Sequence, residues 1–322
     1  MSDLEKKLKD SVAIKTIRDK FKDNLPKNRD KFDENDIQKI LTDDWYVKRF
    51  LIARNRSTNA AYKMILESLE WRRNQGFATL PSNSFPQEFY FVNAMFDYEP
   101  DKEGNVTLHI RVRYVLRCGP LVPHAVKWAS KFFYDLENRC SSSFFTILID
   151  FSGCGIRNAE FDFVKHAVQV LKNYTPACVK RILLVDLPPI LRLGYNFIKS
   201  WIPENGRSIL KFISRSQLNE YIDQANLPDY LGGTCSRPYQ GKQMVPLDCP
   251  TAVEYGLACG IPLDQCVKIA KTYEPLVKEI GLYDDLSSET DFAAKVANEL
   301  KSRAEGKLTQ GEALKVAQAI SG

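Results

Sequence analysis

The chain has 322 residues, 26% charged and 44% hydrophobic, enough for one large domain or two modest ones with a real core. Its 45 Lys and Arg against 40 Asp and Glu leave a net charge of +5, which suits an anionic membrane surface and falls short of a nucleic-acid footprint. No apolar run approaches the roughly 20 residues of a membrane span, and MSDLEKKLKD carries no apolar signal region, so the expectation is a cytoplasmic protein with no transmembrane helix.

Residues 1–31 hold ten Lys and Arg and six Asp and Glu, with Leu4, Leu8, Val12, Ile14 and Ile17 as the apolar stripe of a basic amphipathic helix. The helical period continues through Ile37, Ile40, Leu41, Trp45, Val47, Phe50 and Leu51. A further helix runs over TNAAYKMILESLEWRR, with Ser57 as N-cap and Gly76 as stop. After Pro81 the pattern changes. NVTLHIRVRY alternates, Leu108, Ile110, Val112 and Tyr114 facing one way and His109, Arg111 and Arg113 the other, toward helices or solvent, as in a half-buried strand. FFTILIDFSG is apolar on both faces, as a covered strand is. AEFDFVKHAVQVLKNY then reads as a helix, RILLVD as a strand, PPILRLGYNFIKSWIP as a helix and ILKFIS as a strand, an order that implies a partly parallel α/β sheet. The polar stretch RPYQGKQMVPLDCP marks a boundary, followed by helices over LDQCVKIAKTYEPLVKEIG, interrupted by Pro275, and over DFAAKVANELKSRA and EALKVAQAI. Three regions result: a helical 1–80, a sheet-bearing 81–240 and a helical extension over 241–322.

The helix over 189–202 poses a problem. At roughly 100° per residue, only Arg192, Asn196 and Lys199 form a polar stripe, and apolar side chains take most of the remaining circumference. A surface helix needs an apolar face only a little over 100° wide. Core, partner, ligand or membrane must cover the surplus.

Catalytic signatures are sparse. Gly153 and Gly155 follow a strand, but Asn158 stands at the third glycine position of a dinucleotide fingerprint, and Asp186 lies beyond the roughly 20-residue spacing of its acidic partner. There is no P-loop and no elbow serine. His109, His124 and His166 are too scattered for a metal site. Asp150 and Asp186 end strands, where a carboxylate commonly accepts hydrogen bonds from the following turn. Eight cysteines without a CxxC read as small core residues. The pattern points to binding without a cofactor, not to catalysis.

The run VKRFLIARNRSTNAAYKMILESLEWRR resembles the N-terminal helical region of the CRAL-TRIO (Sec14-like) lipid-binding family. TILIDFSGCG, LKNYTPACVKRILLVDLPP and LPDYLGGTC follow in that family's order, so the likeness covers about residues 33–236. Within the family it is greatest to the CRAL-TRIO half of members that carry a motile-sperm domain, as in DKFDENDIQKILTDDWYV and IKSWIPENGRSILKFIS. Those members continue into a β domain and a membrane anchor, whereas residues 241–322 here are polar and helical.

The resemblance implies a lipid cavity floored by the sheet and covered by a gate helix over 189–202, which swings away at a membrane while lipid is exchanged. Leu108, Ile110 and Val112 with Phe145, Ile147 and Ile149 would form the floor. Phe163, Val170 and the gate residues Leu191, Tyr195, Ile198 and Trp201 would close it. Leu193, Phe197, Trp201 and Ile202 would meet the bilayer. Of the family's phosphatidylinositol-contacting positions only Arg54 matches; the others are Asn55, Ala177 and Ile209, although Arg56, Arg207 and Lys211 lie near enough for a different anionic headgroup site. The positions of the choline-contacting hydroxyls hold Phe145 and Ile147, which suggests a drier pocket. The implied partners are a lipid or other hydrophobic small molecule and, transiently, a membrane surface. The alternative is a regulatory scaffold of the same fold that binds a protein through residues 250–322.

Overall fold

The computed structural model describes residues 3–115, 119–139, 144–155, 158, 161–189, 191 and 207–281. Helices α1 (Asp3–Asn28), α2 (Glu34–Thr42), α3 (Asp44–Ala53) and α4 (Thr58–Gln75) make the N-terminal part. Asp43 caps α3 by accepting from the Tyr46 amide, and Ser57 caps α4 by accepting from the Ala60 amide. Gly76 ends α4 at φ +69°, the left-handed conformation that glycine adopts without a Cβ penalty. The stripe that α1 buries is Ile14, Ile17, Phe21 and Leu25, set against α3 and α4; Leu8 and Val12, expected on it, are exposed.

A buried ion network joins this part to the sheet domain. Arg49 and Arg72 both pair with Glu137 of α6 (Val122–Arg139), and Arg72 also reaches Asp36 at 3.3 Å. Arg72 and Ser68 donate to the Tyr174 carbonyl, and the Trp71 and Tyr174 rings stack with centroids 4.0 Å apart.

Among the described residues the sheet has five strands in the order β1 (Met95–Tyr98), β2 (Val106–Arg111), β3 (Phe145–Asp150), β4 (Val179–Val185), β5 (Leu210–Ile213). The β1–β2 pair is antiparallel and the remaining pairs are parallel, giving a mixed α/β sheet behind a helical N-terminal part. The register sets Leu108 beside Ile147 and Ile110 beside Ile149. That face packs on α6 and α7 (Phe161–Asn173) through Trp128, Phe133, Leu136 and Phe163. The opposite face carries Leu148, Leu183, Val185 and Ile213, covered by short 3-10 turns over 215–231 through Leu218, Ile222, Leu227 and Leu231.

Two expectations are corrected here. β2 ends at Arg111, opposite the last residue of β3, so the next residues lack a ladder partner and coil into a 3-10 turn, Val112–Tyr114, although their side-chain pattern still alternates. Val112 therefore leaves the sheet floor. Pro275 does not interrupt its helix: α9 (Leu263–Ile280) runs through it, on a face where Lys271 and Pro275 are both exposed to water. With α8 (Ala252–Ala258), α9 packs on the body. Val253, Tyr255, Ile269 and Ala270 cluster with Leu121, while Leu276 and Val277 cluster with Phe91, Val92 and Tyr114.

Candidate functional site

One face of the sheet, at the β1–β2 edge, opens into an apolar cleft. Met95 and Ile110 form its floor, followed by Tyr114 and Val115 where the chain leaves β2. Val122, Ala125 and Trp128 of α6 and Phe163 of α7 form one side. Phe89 and Val92 of α5 (Gln87–Val92) form another. The third wall is α9, through Ile269, Ala270, Tyr273 and Val277. The cleft holds about 980 Å³ of empty space with its open mouth included, of which about 80 Å³ is wide enough for the centre of a water molecule. It is a narrow slot, lined almost throughout by carbon. The lining carboxylate, Glu88, is engaged at its rim, where it accepts from the Ala252 amide and joins α5 to the start of α8. Asn93, held at φ +45° at the end of α5, donates to the Tyr239 carbonyl and fixes the turn into β1.

Of the expected cavity residues, Ile110 and Phe163 line this cleft. Leu108, Phe145 and Ile147 belong to the same apolar cluster and are buried beneath it, with Ile149 half-buried at its edge. Val170 lines a smaller void between α6 and α7, shared with Phe133 and Phe163. Val112 sits on the 3-10 turn, where its carbonyl accepts from the Asn158 amide side chain. Leu191 is half-buried outside the cleft. Leu193, Tyr195, Phe197, Ile198, Trp201 and Ile202, and residues 282–322, lie outside the described residues.

The expected headgroup residues are dispersed. Arg56 pairs at 2.8 Å with Asp10 of α1, a carboxylate that it shares with Lys48. Arg54 lines a groove beside Trp71 and Tyr174 that also contains Glu67 and Glu70. Arg207 and Lys211 are exposed, Lys211 on the edge strand β5.

Sequence reasoning did not single out Trp128, Tyr114 or the α9 wall. The spacing of Ala125, Trp128, Ala129, Phe132 and Leu136 carries the helical signal for α6. The contribution of α9 is a long-range contact that no local pattern encodes.

The polar groups nearby do structural work. Asn158, at the third position of the glycine pattern, donates to the carbonyls of Val112, Arg113 and Val115 and accepts from the Gly155 amide, so it ties the loop after β3 to the end of β2. Asp150 accepts from the Ser152 amide and hydroxyl, and Asp186 from the Arg215 amide. His109, expected toward helices or solvent, is fully buried; desolvation, with Arg111 and Arg237 nearby, pushes its pKa down to about 3. Burial also lowers His124 and His166, so all three imidazoles are neutral near pH 7. His166 contacts Ser130, whose hydroxyl proton goes to the Val126 carbonyl. That pair lacks the orientation of a base activating a nucleophile.

Residues 94–233 match the family model described as the CRAL/TRIO domain. Over 256 residues the chain is 27% identical to protein real-time of Anopheles gambiae, covering 67% of this chain and 33% of that protein. Over 195 residues it is 25% identical to tyrosine-protein phosphatase non-receptor type 9 of Homo sapiens, covering 58% and 32%. Over 223 residues it is 23% identical to the phosphatidylinositol/phosphatidylcholine transfer protein SFH12 of Arabidopsis thaliana, covering 60% and 40%. The chain thus spans about a third of the length of the first of these relatives. The crystal structure of Sfh5 superimposes with a TM-score of 0.51 at 16% identity, covering 76% of this chain and 94% of that one, and shares the fold. The match to the CRAL/TRIO domain thus covers the sheet and its α6–α7 side, and α8 and α9 lie beyond the matched residues.

Proposed function

We propose that this chain binds a lipid or another hydrophobic small molecule in the apolar cleft and exchanges it with membranes. The observation that carries this reading is the cleft: a slot floored by the sheet in the region that matches the CRAL/TRIO domain, lined by Ile110, Trp128 and Phe163, its buried carboxylate Glu88 already engaged by the Ala252 amide. The name of the SFH12 relative, a phosphatidylinositol/phosphatidylcholine transfer protein, supports it. In this reading the segment 189–202 is the gate that admits and releases the ligand at the membrane. Burying a chain yields roughly 0.8 kcal/mol per CH₂, and the same amount holds the chain in the bilayer, so transfer is nearly thermoneutral and the protein lowers the barrier to exchange. The function is binding and transfer without a catalysed reaction, at the cytoplasmic surface of a membrane. The likeness to motile-sperm-domain members belongs to the same reading.

Organic extraction and lipid mass spectrometry of the protein purified from a eukaryotic host test this, beside Ala270→Trp, which fills the slot from α9. A stoichiometric lipid in the parent that is lost in a folded variant is the expected result. No lipid in either, with both folded, would replace the carrier with a scaffold that acts through its fold alone.

A further inference from the structure

A second, polar cavity of about 490 Å³, mouth included, lies where β2 and β3 end. Ligands of open α/β sheets collect at the carboxyl ends of parallel strands. Three guanidiniums line the cavity, from Arg111, Arg113 and Arg215, with Asp150, Ser152 and Tyr230. Two of them have counter-charges. Arg113 makes a bidentate pair with Glu279 of α9 at 2.8 Å. Arg215 donates to Ser152 and lies 3.8 Å from Asp150 and 3.6 Å from Asp186.

Arg111 differs. It is 5% exposed, and its guanidinium lies 4.2 and 4.4 Å from the ring centres of Tyr114 and Tyr230. It donates to the neutral oxygens of Gln240 and Tyr114, at 2.6 and 2.9 Å, and its Nε has no hydrogen-bond partner. Among the described residues no carboxylate lies within 4 Å of it. A buried cation that lacks a counter-ion is costly to the folded state, and the ring faces offset only part of that cost. An oxyanion entering the cavity supplies the missing charge.

The two cavities share a wall. The Tyr114 ring lines the apolar cleft while its hydroxyl accepts from Arg111. On α9, Val277 lines the cleft and Glu279, two residues on, holds Arg113. Tyr114 thus stands between the apolar cleft and the guanidinium of Arg111.

We propose that this cavity receives the phosphate of an amphiphile whose chains occupy the cleft, a ligand class that rests on the lipid-binding reading above. Arg111, the lining guanidinium without a counter-ion among the described residues, and the N–H groups of Arg113 and Arg215 beside it match the several acceptor oxygens of a phosphate. This headgroup site stands apart from Arg54, Arg56, Arg207 and Lys211.

Gly153 offers a test that spares the arginines. It lies at φ +68°, and a Cβ there meets only Arg113 side-chain atoms, at 3.9 Å. Asn and Asp tolerate this backbone best among the other residues. Gly153→Asp places a carboxylate in the cavity, and Gly153→Asn is its neutral match. Binding of dioctanoyl phosphatidic acid below its micelle concentration, of dioctanoylglycerol and of inorganic phosphate is measured by calorimetry for the parent and both variants, with thermal midpoints confirming that each is folded. The expected result is at least tenfold weaker phosphatidic acid binding in Gly153→Asp than in Gly153→Asn, with dioctanoylglycerol unaffected. Equal phosphatidic acid affinities in the two variants, with dioctanoylglycerol still bound, would overturn the headgroup site and leave the lipid reading standing. Inorganic phosphate that shows the Asp-against-Asn contrast while both amphiphiles fail to bind would assign the cavity to a free phosphate and overturn the amphiphile and the lipid reading together. Binding of none of the three overturns both.

Discussion

His109 makes the fold sensitive to mild acid. The Thr107 hydroxyl donates to the Glu99 carbonyl, so it accepts from His109 Nε2–H, and Nδ1 then accepts from the Tyr230 hydroxyl. Burial disfavours the charged ring, a second ring proton would displace the hydrogen that Tyr230 donates, and it would add charge beside Arg111 and Arg237; hence the pKa falls to about 3 from the ordinary 6.5. Between these values the unfolded chain binds more protons than the folded one, so stability falls as pH drops. Lowering pH from 7 to 5 costs about 2 kcal/mol through this residue, and the full cost of about 5 kcal/mol is reached only below pH 3. Urea denaturation of the parent and of His109→Gln at pH 7 and pH 5 isolates the effect, since all other titrating groups are common to both. The parent is expected to lose about 2 kcal/mol more than the variant over that interval. Parallel losses would refute the assignment of the acid sensitivity to a buried neutral imidazole.

Glu137→Gln leaves Arg49 and Arg72 buried without their shared carboxylate, and a loss of 3–5 kcal/mol, of the order measured for breaking a buried pair, is expected in chemical denaturation; less than about 1 kcal/mol would mean the network is hydrated. Burial pushes the Glu137 carboxyl up, but Arg49, Arg72 and Lys39 outweigh it and hold the group below the ordinary 4.5. Its contribution is therefore present above pH 4.5 and lost as pH falls through the lower, folded value. At the paired glycines after Leu231, Gly233→Ala drives a Cβ to 1.9 Å from the Leu227 carbonyl oxygen, whereas Gly232, at φ +80°, has nothing within 4 Å of a Cβ. Thermal denaturation is expected to separate a loss of at least about 3 kcal/mol for Gly233→Ala from about 1 kcal/mol for Gly232→Ala.

The local signals in the sequence are reliable where one residue type has one physical job. Ser57 and Gly76 bound α4 because a hydroxyl satisfies an orphan amide and a glycine takes the left-handed turn. FFTILIDFSG reads as a covered strand because both its faces are apolar, and β3 is indeed central. Errors arise where partners decide. Side-chain alternation continues past Arg111, yet a strand lasts only as long as its neighbour, and β3 stops at Asp150. The stripe on α1 lies further along the helix, because α3 and α4 reach Ile14 to Leu25 and leave Leu8 and Val12 uncovered. The candidate site was legible to the same degree: Ile110 and Phe163 follow from periodicity, but Tyr273 and Val277 enter the cleft from a helix distant in sequence.

That last contact bears on ligand choice among proteins that share this domain. The CRAL/TRIO match ends at residue 233, so the floor and the α6–α7 side of the slot come from the shared domain, while Ile269, Ala270, Tyr273 and Val277 come from beyond it. Glu279, on the same helix, holds Arg113 at the rim of the polar cavity. One helix outside the shared domain thus sets both the width of the apolar slot and the position of a guanidinium beside its polar end. In the proposed carrier, substitutions on α9 are expected to alter what the slot admits without touching the sheet.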